Sequence, residues 1–180
     1  IPLDFYILGN IIIVFTDASE THWGGVILQC LRSEAHLPIE ERKLRPLAWY
    51  SGSFRGSQTN WTIPEKEAFA IKQTFSKGDT MLGNPFQLHT DSNIIRFVFG
   101  NLESSHGIKE TTSKKLKRWA LFLTGYAFTI HHIPGHADHV DDLSATNVWA
   151  DLLTQGGASD ASWRELTQRF MPTSNSAVKS

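Results

Sequence analysis

The sequence predicts an α/β domain built on a mixed β-sheet, and three observations carry that reading. Runs of strand composition follow one another over residues 11–53 with only loops between them, as in an antiparallel meander. After Thr62 the hydrophobic period changes from that of a strand to that of a helix. Further on, strand-like and helix-like stretches alternate, so the order reads βββαβαβα, a sheet flanked by helices. At 180 residues, one domain with a substantial core is expected.

Residues 1–10 form a lead-in closed by the turn pair Gly9-Asn10. Ile11 to Thr16 is β-branched and aromatic, the composition of a central strand buried on both faces, and Asp17 follows it. Gly24-Gly25 opens a second strand, Val26 to Gln29. The polar stretch from Arg32 to Arg45 is a broad loop, and Pro46 to Ser53 is a third strand. Thr62 and Glu65 have the spacing of a capping box. Ala68, Ile71 and Phe75 give the helix that follows one apolar face, and Gly78 stops it. Phe86 to Thr90 is a fourth strand ending at Asp91, with Ser92 able to cap a short helix through Phe99. Residues 101–112 read as loop. Ser113 caps a helix whose Leu116, Trp119, Ala120 and Leu123 share a face; Gly125 ends it, and Tyr126 to Ile133 is a fifth strand. A last helix carries Asn147 to Thr154. The domain is therefore expected over residues 1–155, with its core at 11–155. An extension, 156–180, contains one short helix at Trp163 to Phe170 and a disordered tail from Pro172.

Composition narrows the classes. The apolar fraction is 41%, and the charged fraction of 19% is below the roughly 25% usual for soluble domains. A net charge of −1 announces no nucleic-acid field, so any such binding must come from a local patch. The single cysteine, Cys30, cannot form an internal disulfide and suits a reducing compartment. There is no apolar run of membrane-spanning length and no signal-peptide pattern, so no membrane partner is expected. Ile1 in place of Met suggests a segment of a longer polypeptide.

The carboxylates carry the functional reading. Asp17 and Asp91 share an arrangement: an apolar strand, a threonine, then the acid, in FTDAS and HTDSN. Side by side on neighbouring strands, two such charges are costly unless a cation lies between them. Glu65 and Glu67 compete for a third position, and on a helix they point about 200° apart. Glu65 is explained as the capping-box partner. Glu67 borders the buried face, where a carboxylate needs a reason and a metal supplies one, so Glu67 is chosen. The fourth acid is Asp142 or Asp151. Asp142 lies with Asp138 and Asp141 in a polar stretch after Pro134-Gly135, whereas Asp151 sits between apolar neighbours in an amphipathic helix and is favoured. Carboxylates gathered at one end of a sheet suit a nuclease that holds two divalent metals.

His136 and His139 lie in the same polar stretch, where a pKa near neutrality suits a proton shuttle. His131 and His132 belong to the fifth strand and read as packing residues. The other histidines lack zinc-ligand spacing. Residues 109–118, KETTSKKLKR, hold five cations and one acid, with Lys114, Lys117 and Arg118 on one helix face. Arg55, Gln58 and Asn60, in the turn before the Glu67 helix, are further candidates for contact with nucleic acid.

Five stretches taken together resemble the ribonuclease H domains of Ty3/gypsy-type LTR retrotransposon reverse transcriptases. They are FTDASETHWGGVILQ, LAWYSGSFRGSQTNWTIPEKEAFAI, FQLHTDSN, LKRWALFLTGYAFTIHHIPG and NVWADLLTQ, and they cover about residues 11–155. The resemblance implies a ribonuclease H-like fold. Its five-stranded mixed sheet has the first three strands antiparallel and the later ones parallel to the first. It also implies hydrolysis of the RNA strand of RNA–DNA hybrids, leaving 5′-phosphate and 3′-hydroxyl ends. Two Mg²⁺ or Mn²⁺ ions would be held by Asp17, Glu67, Asp91 and Asp151. Thr90-Asp91-Ser92 is similar to the equivalent retroviral motif, which puts Ser92 among the substrate contacts. In one respect the chain departs from the gypsy pattern: a longer loop, HADHVDDLSAT, follows Pro134-Gly135, and His136 precedes Asp151 by fifteen residues. That spacing is similar to the retroviral histidine loop and makes His136 the implied catalytic histidine, with His139 second. The implied partners are the hybrid and an adjacent polymerase domain of the same polyprotein, in a cytoplasmic retroelement particle or the nucleus. Two rivals use the same fold. A connection-type spacer loses the acids, and an integrase or transposase lacks the early-helix glutamate.

Overall fold

The computed structural model describes residues 3–90 and 110–132. Five strands form one sheet: β1 (Ile11–Ala18), β2 (His22–Cys30), β3 (Arg45–Ser53), β4 (Phe86–Thr90) and β5 (Phe128–His132). Their spatial order is β3-β2-β1-β4-β5. The first three run antiparallel, and β4 and β5 are parallel to β1, as expected for a ribonuclease H-like sheet. Helix α1 spans Ile63–Lys77 and helix α2 spans Glu110–Leu123.

Side-chain alternation along β1 supplies two cores. Ile12 and Val14 face one way, toward Ala70, Ile71 and Phe75 of α1 and Leu116 and Leu123 of α2. Ile13 and Phe15 face the other way, with Val26, Leu28 and Cys30, beside Trp49 of β3 and under Ile39 and Leu44. The expected broad loop after β2 thus acts as a cover and contains two short 3₁₀ turns, Arg32–Glu34 and Ile39–Glu41. Arg42 fastens it by donating to Leu37 O at 2.9 Å, Ala35 O at 3.0 Å and Gln87 Oε1 at 2.9 Å.

Several boundaries differ from expectation. Strand β1 continues through Asp17, which pairs with Gly24, and β2 starts at His22. The reason is the tight turn between them: Ser19 N donates to His22 O at 2.8 Å and Ser19 Oγ accepts from His22 N at 2.9 Å. Gly24-Gly25 is therefore strand interior. Helix α2 begins at Glu110, ahead of the expected Ser113 cap. Strand β5 begins at Phe128, because Gly125 N and Tyr126 N still donate to Phe122 O and Leu123 O at 3.2 and 3.1 Å in the turn that ends α2. The short helix after Ser92, the helix at 147–154 and the extension 156–180 lie outside the described residues. Among the described residues, no helix is long and apolar enough to cross a membrane.

Candidate active site

Asp17 is 7% exposed and its Oδ2 is fully buried. Burying a carboxylate costs several kcal/mol in effective terms unless charge and hydrogen bonds compensate it. Its neighbour Thr16, and Thr90 at the end of β4, are buried as well. The β1–β4 ladder pairs Val14 with Leu88 and Phe15 with His89, so the polar ends of both strands emerge at one end of the sheet.

Three contacts fix how α1 lies across that sheet. Lys66 Nζ donates to Glu20 O at 2.5 Å, Thr74 rests against Gly25, and Gly78 meets Ile27. The first turns of α1 therefore sit over the β1–β2 turn, at the Asp17 end, and its last turn lies over the middle of β2. Glu67 is half-buried and precedes Thr74 by seven residues, which puts both on one helix stripe. Asp17 and Glu67 thus belong to the same end of the sheet.

Glu65 does the structural work foreseen for it. Thr62 N donates to its Oε2 at 2.7 Å, and Glu65 N donates to Thr62 Oγ1 at 3.4 Å, closing the capping box. Lys115 Nζ reaches Glu65 Oε1 at 3.0 Å while lying 4.2 Å from the Trp61 ring centroid. Burial, the largest influence, raises the Glu65 pKa, but the bonds from Thr62 and Lys115 outweigh it and the net shift is downward.

Of the proposed nucleic-acid contacts, Arg55 and Asn60 are exposed on the turn Gly56–Asn60. Gln58 is half-buried, and its Oε1 accepts from Arg55 N at 3.1 Å, so part of its side chain closes that turn. Lys114, Lys117 and Arg118 are exposed on α2, opposite buried Leu116, Trp119 and Leu123. Asp91, Ser92, His136 and Asp151, with the alternatives Asp142 and His139, lie outside the described residues. Among the described residues, no three His, Cys, Asp or Glu side chains form a group able to hold a metal.

Two features escaped the sequence reading because neither has a periodic or motif signal. One is the buried Lys66. The other is a histidine stack on the second face: His89 and His131 lie 4.7 Å apart with ring planes 12° apart, and Phe15 packs on His89 at 5.0 Å. Burial, then the charges of His131 and Arg42, push the His89 pKa down to about 3. An unfolded histidine binds its proton near 6.5, so between these values the unfolded chain holds more protons. The His89 contribution is therefore intact above about pH 6.5. It falls by about 1.4 kcal/mol per pH unit as acid is added, down to about pH 3. Urea unfolding from pH 7 to pH 4 should show this slope, and His89→Phe should flatten it. An unchanged slope in the variant would remove His89 as its source.

A family model described as an RNase H-like domain found in reverse transcriptase matches residues 8–126. The chain belongs to this family. Two similar relatives are the Tf2-3 and Tf2-4 transposon polyproteins of Schizosaccharomyces pombe (strain 972 / ATCC 24843). Each is 31% identical over 134 residues, covering 73% of this chain. The chain spans only 9% of the length of those polyproteins. A foamy viral protease-reverse transcriptase in complex with dsDNA superposes with a TM-score of 0.57 at 15% identity, over 76% of this chain and 26% of that one. The dRH form of that protein with dsDNA gives a TM-score of 0.54 at 15% identity, over 76% and 22%. These two likenesses show the fold alone. The family model makes this an RNase H-like domain of the kind found in reverse transcriptase, and the polyprotein relatives make it similar to those of Ty3/gypsy-type retroelements.

Proposed function

We propose that the domain hydrolyses the RNA strand of RNA–DNA hybrids endonucleolytically, using two divalent cations, as part of a reverse transcriptase. The feature that carries this is the pair Asp17 and Glu67: a buried carboxylate near a strand end, at the same end of the sheet as the helix turn that bears a second one. A spacer domain needs no such pair.

Asp91 follows Thr90 in the sequence as Asp17 follows Thr16, and the strands that lead to the two acids, β4 and β1, are neighbours in the sheet. Three carboxylates then serve one centre, with Asp151 as the fourth. An all-oxygen donor set fits Mg²⁺ or Mn²⁺ and disfavours soft metals. When bound, such a pair of ions supplies an activated water and stabilises the leaving oxygen of an in-line displacement. The chain's own residues do the rest. Asp17, Glu67, Asp91 and Asp151 hold the ions. His136 delivers a proton to the departing 3′ oxygen. Arg55 and Asn60, helped by Gln58 and Ser92, track one strand, while Lys114, Lys117 and Arg118 meet phosphates. The 2′-hydroxyl and groove shape distinguish RNA from DNA.

The matching family is found in reverse transcriptase and the relatives are polyproteins, which supports an adjacent polymerase domain as partner. The activity is tested by labelled RNA–DNA hybrid with Mg²⁺, beside single-stranded RNA and duplex DNA. Internal cuts confined to the RNA of the hybrid, ending in 5′-phosphate, are expected. Cutting of duplex DNA alone would favour the integrase or transposase reading, and no cutting would favour the spacer.

A further inference from the structure

We infer that Lys66 is a positioning residue for this reaction: its buried ammonium ties together the three chain segments that carry the candidate site. The inference rests on the nuclease reading above. Lys66 is 2% exposed, and its Nζ donates to Glu20 O at 2.5 Å and to Thr59 O at 3.1 Å. The ammonium also lies 5.3 Å from the Phe54 ring centroid. Glu20 belongs to the β1–β2 turn, three residues beyond Asp17. Thr59 belongs to the turn that exposes Arg55 and Asn60. Lys66 itself immediately precedes Glu67. One cation therefore links a candidate metal ligand on a strand, a candidate ligand on a helix and the turn proposed to meet the hybrid.

Chemistry explains why a lysine is used. Two backbone carbonyls satisfy two of its three N–H donors, and an aromatic face accepts the charge on another side. A leucine or methionine would fill the same space without the desolvation penalty of an ammonium, but neither could hold two carbonyls from separate turns. Placement matters for this chemistry, because a misplacement of about 1 Å can cost on the order of a hundredfold in rate. Hydrogen bonds from Lys66 limit such drift at three places at once.

The test uses Lys66→Met, which keeps the unbranched apolar stem and removes the ammonium. Native-state hydrogen exchange should show faster exchange at the His22 and Trp61 amides, which report the two turns, with the sheet interior unchanged. Hybrid cleavage well below the melting temperature should show kcat reduced about ten- to a hundredfold, a raised KM for hybrid and a higher Mg²⁺ concentration for half-maximal rate. Unchanged exchange at both turns would overturn the inference. So would altered exchange with kcat and Mg²⁺ dependence intact, the behaviour of a residue that supports only stability. If wild-type protein cleaves no hybrid, the nuclease reading fails and the positioning role falls with it; a defect confined to the variant's assays separates the two. Should Lys66→Met not fold, reductive methylation of native wild-type protein decides. Lys66 should resist labelling while Lys114 and Lys117 react, and labelling of Lys66 at their rate would overturn the inference.

Discussion

Asp17→Asn should reduce hybrid cleavage by about a thousandfold or more while leaving the fold intact. The substitution keeps the shape of the side chain and removes the negative charge that would hold a cation. Cation stabilisation of the transition state contributes several kcal/mol, and each 1.4 kcal/mol is about tenfold in rate. The same change should leave metal-free stability equal or higher, because a buried charge is replaced by a neutral amide. Thus activity should fall with no fall in stability. Single-turnover cleavage in Mg²⁺, with thermal melting in EDTA, reads both. A variant within tenfold of wild type would remove Asp17 from the centre, and a large fall in melting temperature would make it a structural residue.

Gly25→Ala should have the largest effect on stability, about 3 kcal/mol or more, at the upper end of overpacking costs. Gly25 pairs with Thr16 toward the turn end of the β1–β2 ladder, and α1 approaches it through Thr74. A Cβ there would lie 1.9 Å from Thr74 Oγ1 and 2.6 Å from its Cγ2. Thr74 has little freedom to retreat: it is fully buried, and its hydroxyl donates to Ala70 O at 2.8 Å. The added methyl would push α1 from the sheet and carry Glu67 with it, so activity should fall along with stability. Thr74→Ala in the same chain removes the two shortest contacts and leaves the one to Thr74 Cβ at 2.8 Å. It should recover part of the lost stability in urea unfolding. If Gly25→Ala costs under 0.5 kcal/mol, in the range of an unremarkable surface change, the close approach of α1 is wrong.

Much of this arrangement was legible in the residues. Strands announced themselves through β-branched runs such as Ile11 to Val14, and α1 through the Thr62–Glu65 box and the spacing of its apolar face, because both depend on local chemistry. The separation of Glu65 from Glu67 could also be argued locally, since a capping partner accounts for one acid and leaves the other. What escaped was long-range. Nothing in the sequence near Lys66 shows that carbonyls from residues 20 and 59 converge on it. Lys115 read as one more cation on a basic helix, yet it is spent on Glu65 and Trp61. The His89–His131 stack depends on β4 and β5 being neighbours, and strand order is not a local property. Gly24-Gly25 looked like a strand opener because glycines usually punctuate; a helix lying against one of them puts the pair inside β2.

The most direct measurement is a crystal structure of the inactive Asp17→Asn protein and of wild type, each soaked in Mn²⁺ with a non-cleavable hybrid, read by anomalous scattering. Two ions about 4 Å apart are expected in wild type, ligated by Asp17, Glu67, Asp91 and Asp151, with at least one lost in the variant. Carboxylates that share no ion, or Mn²⁺ bound elsewhere with this end of the sheet left bare, would contradict the account.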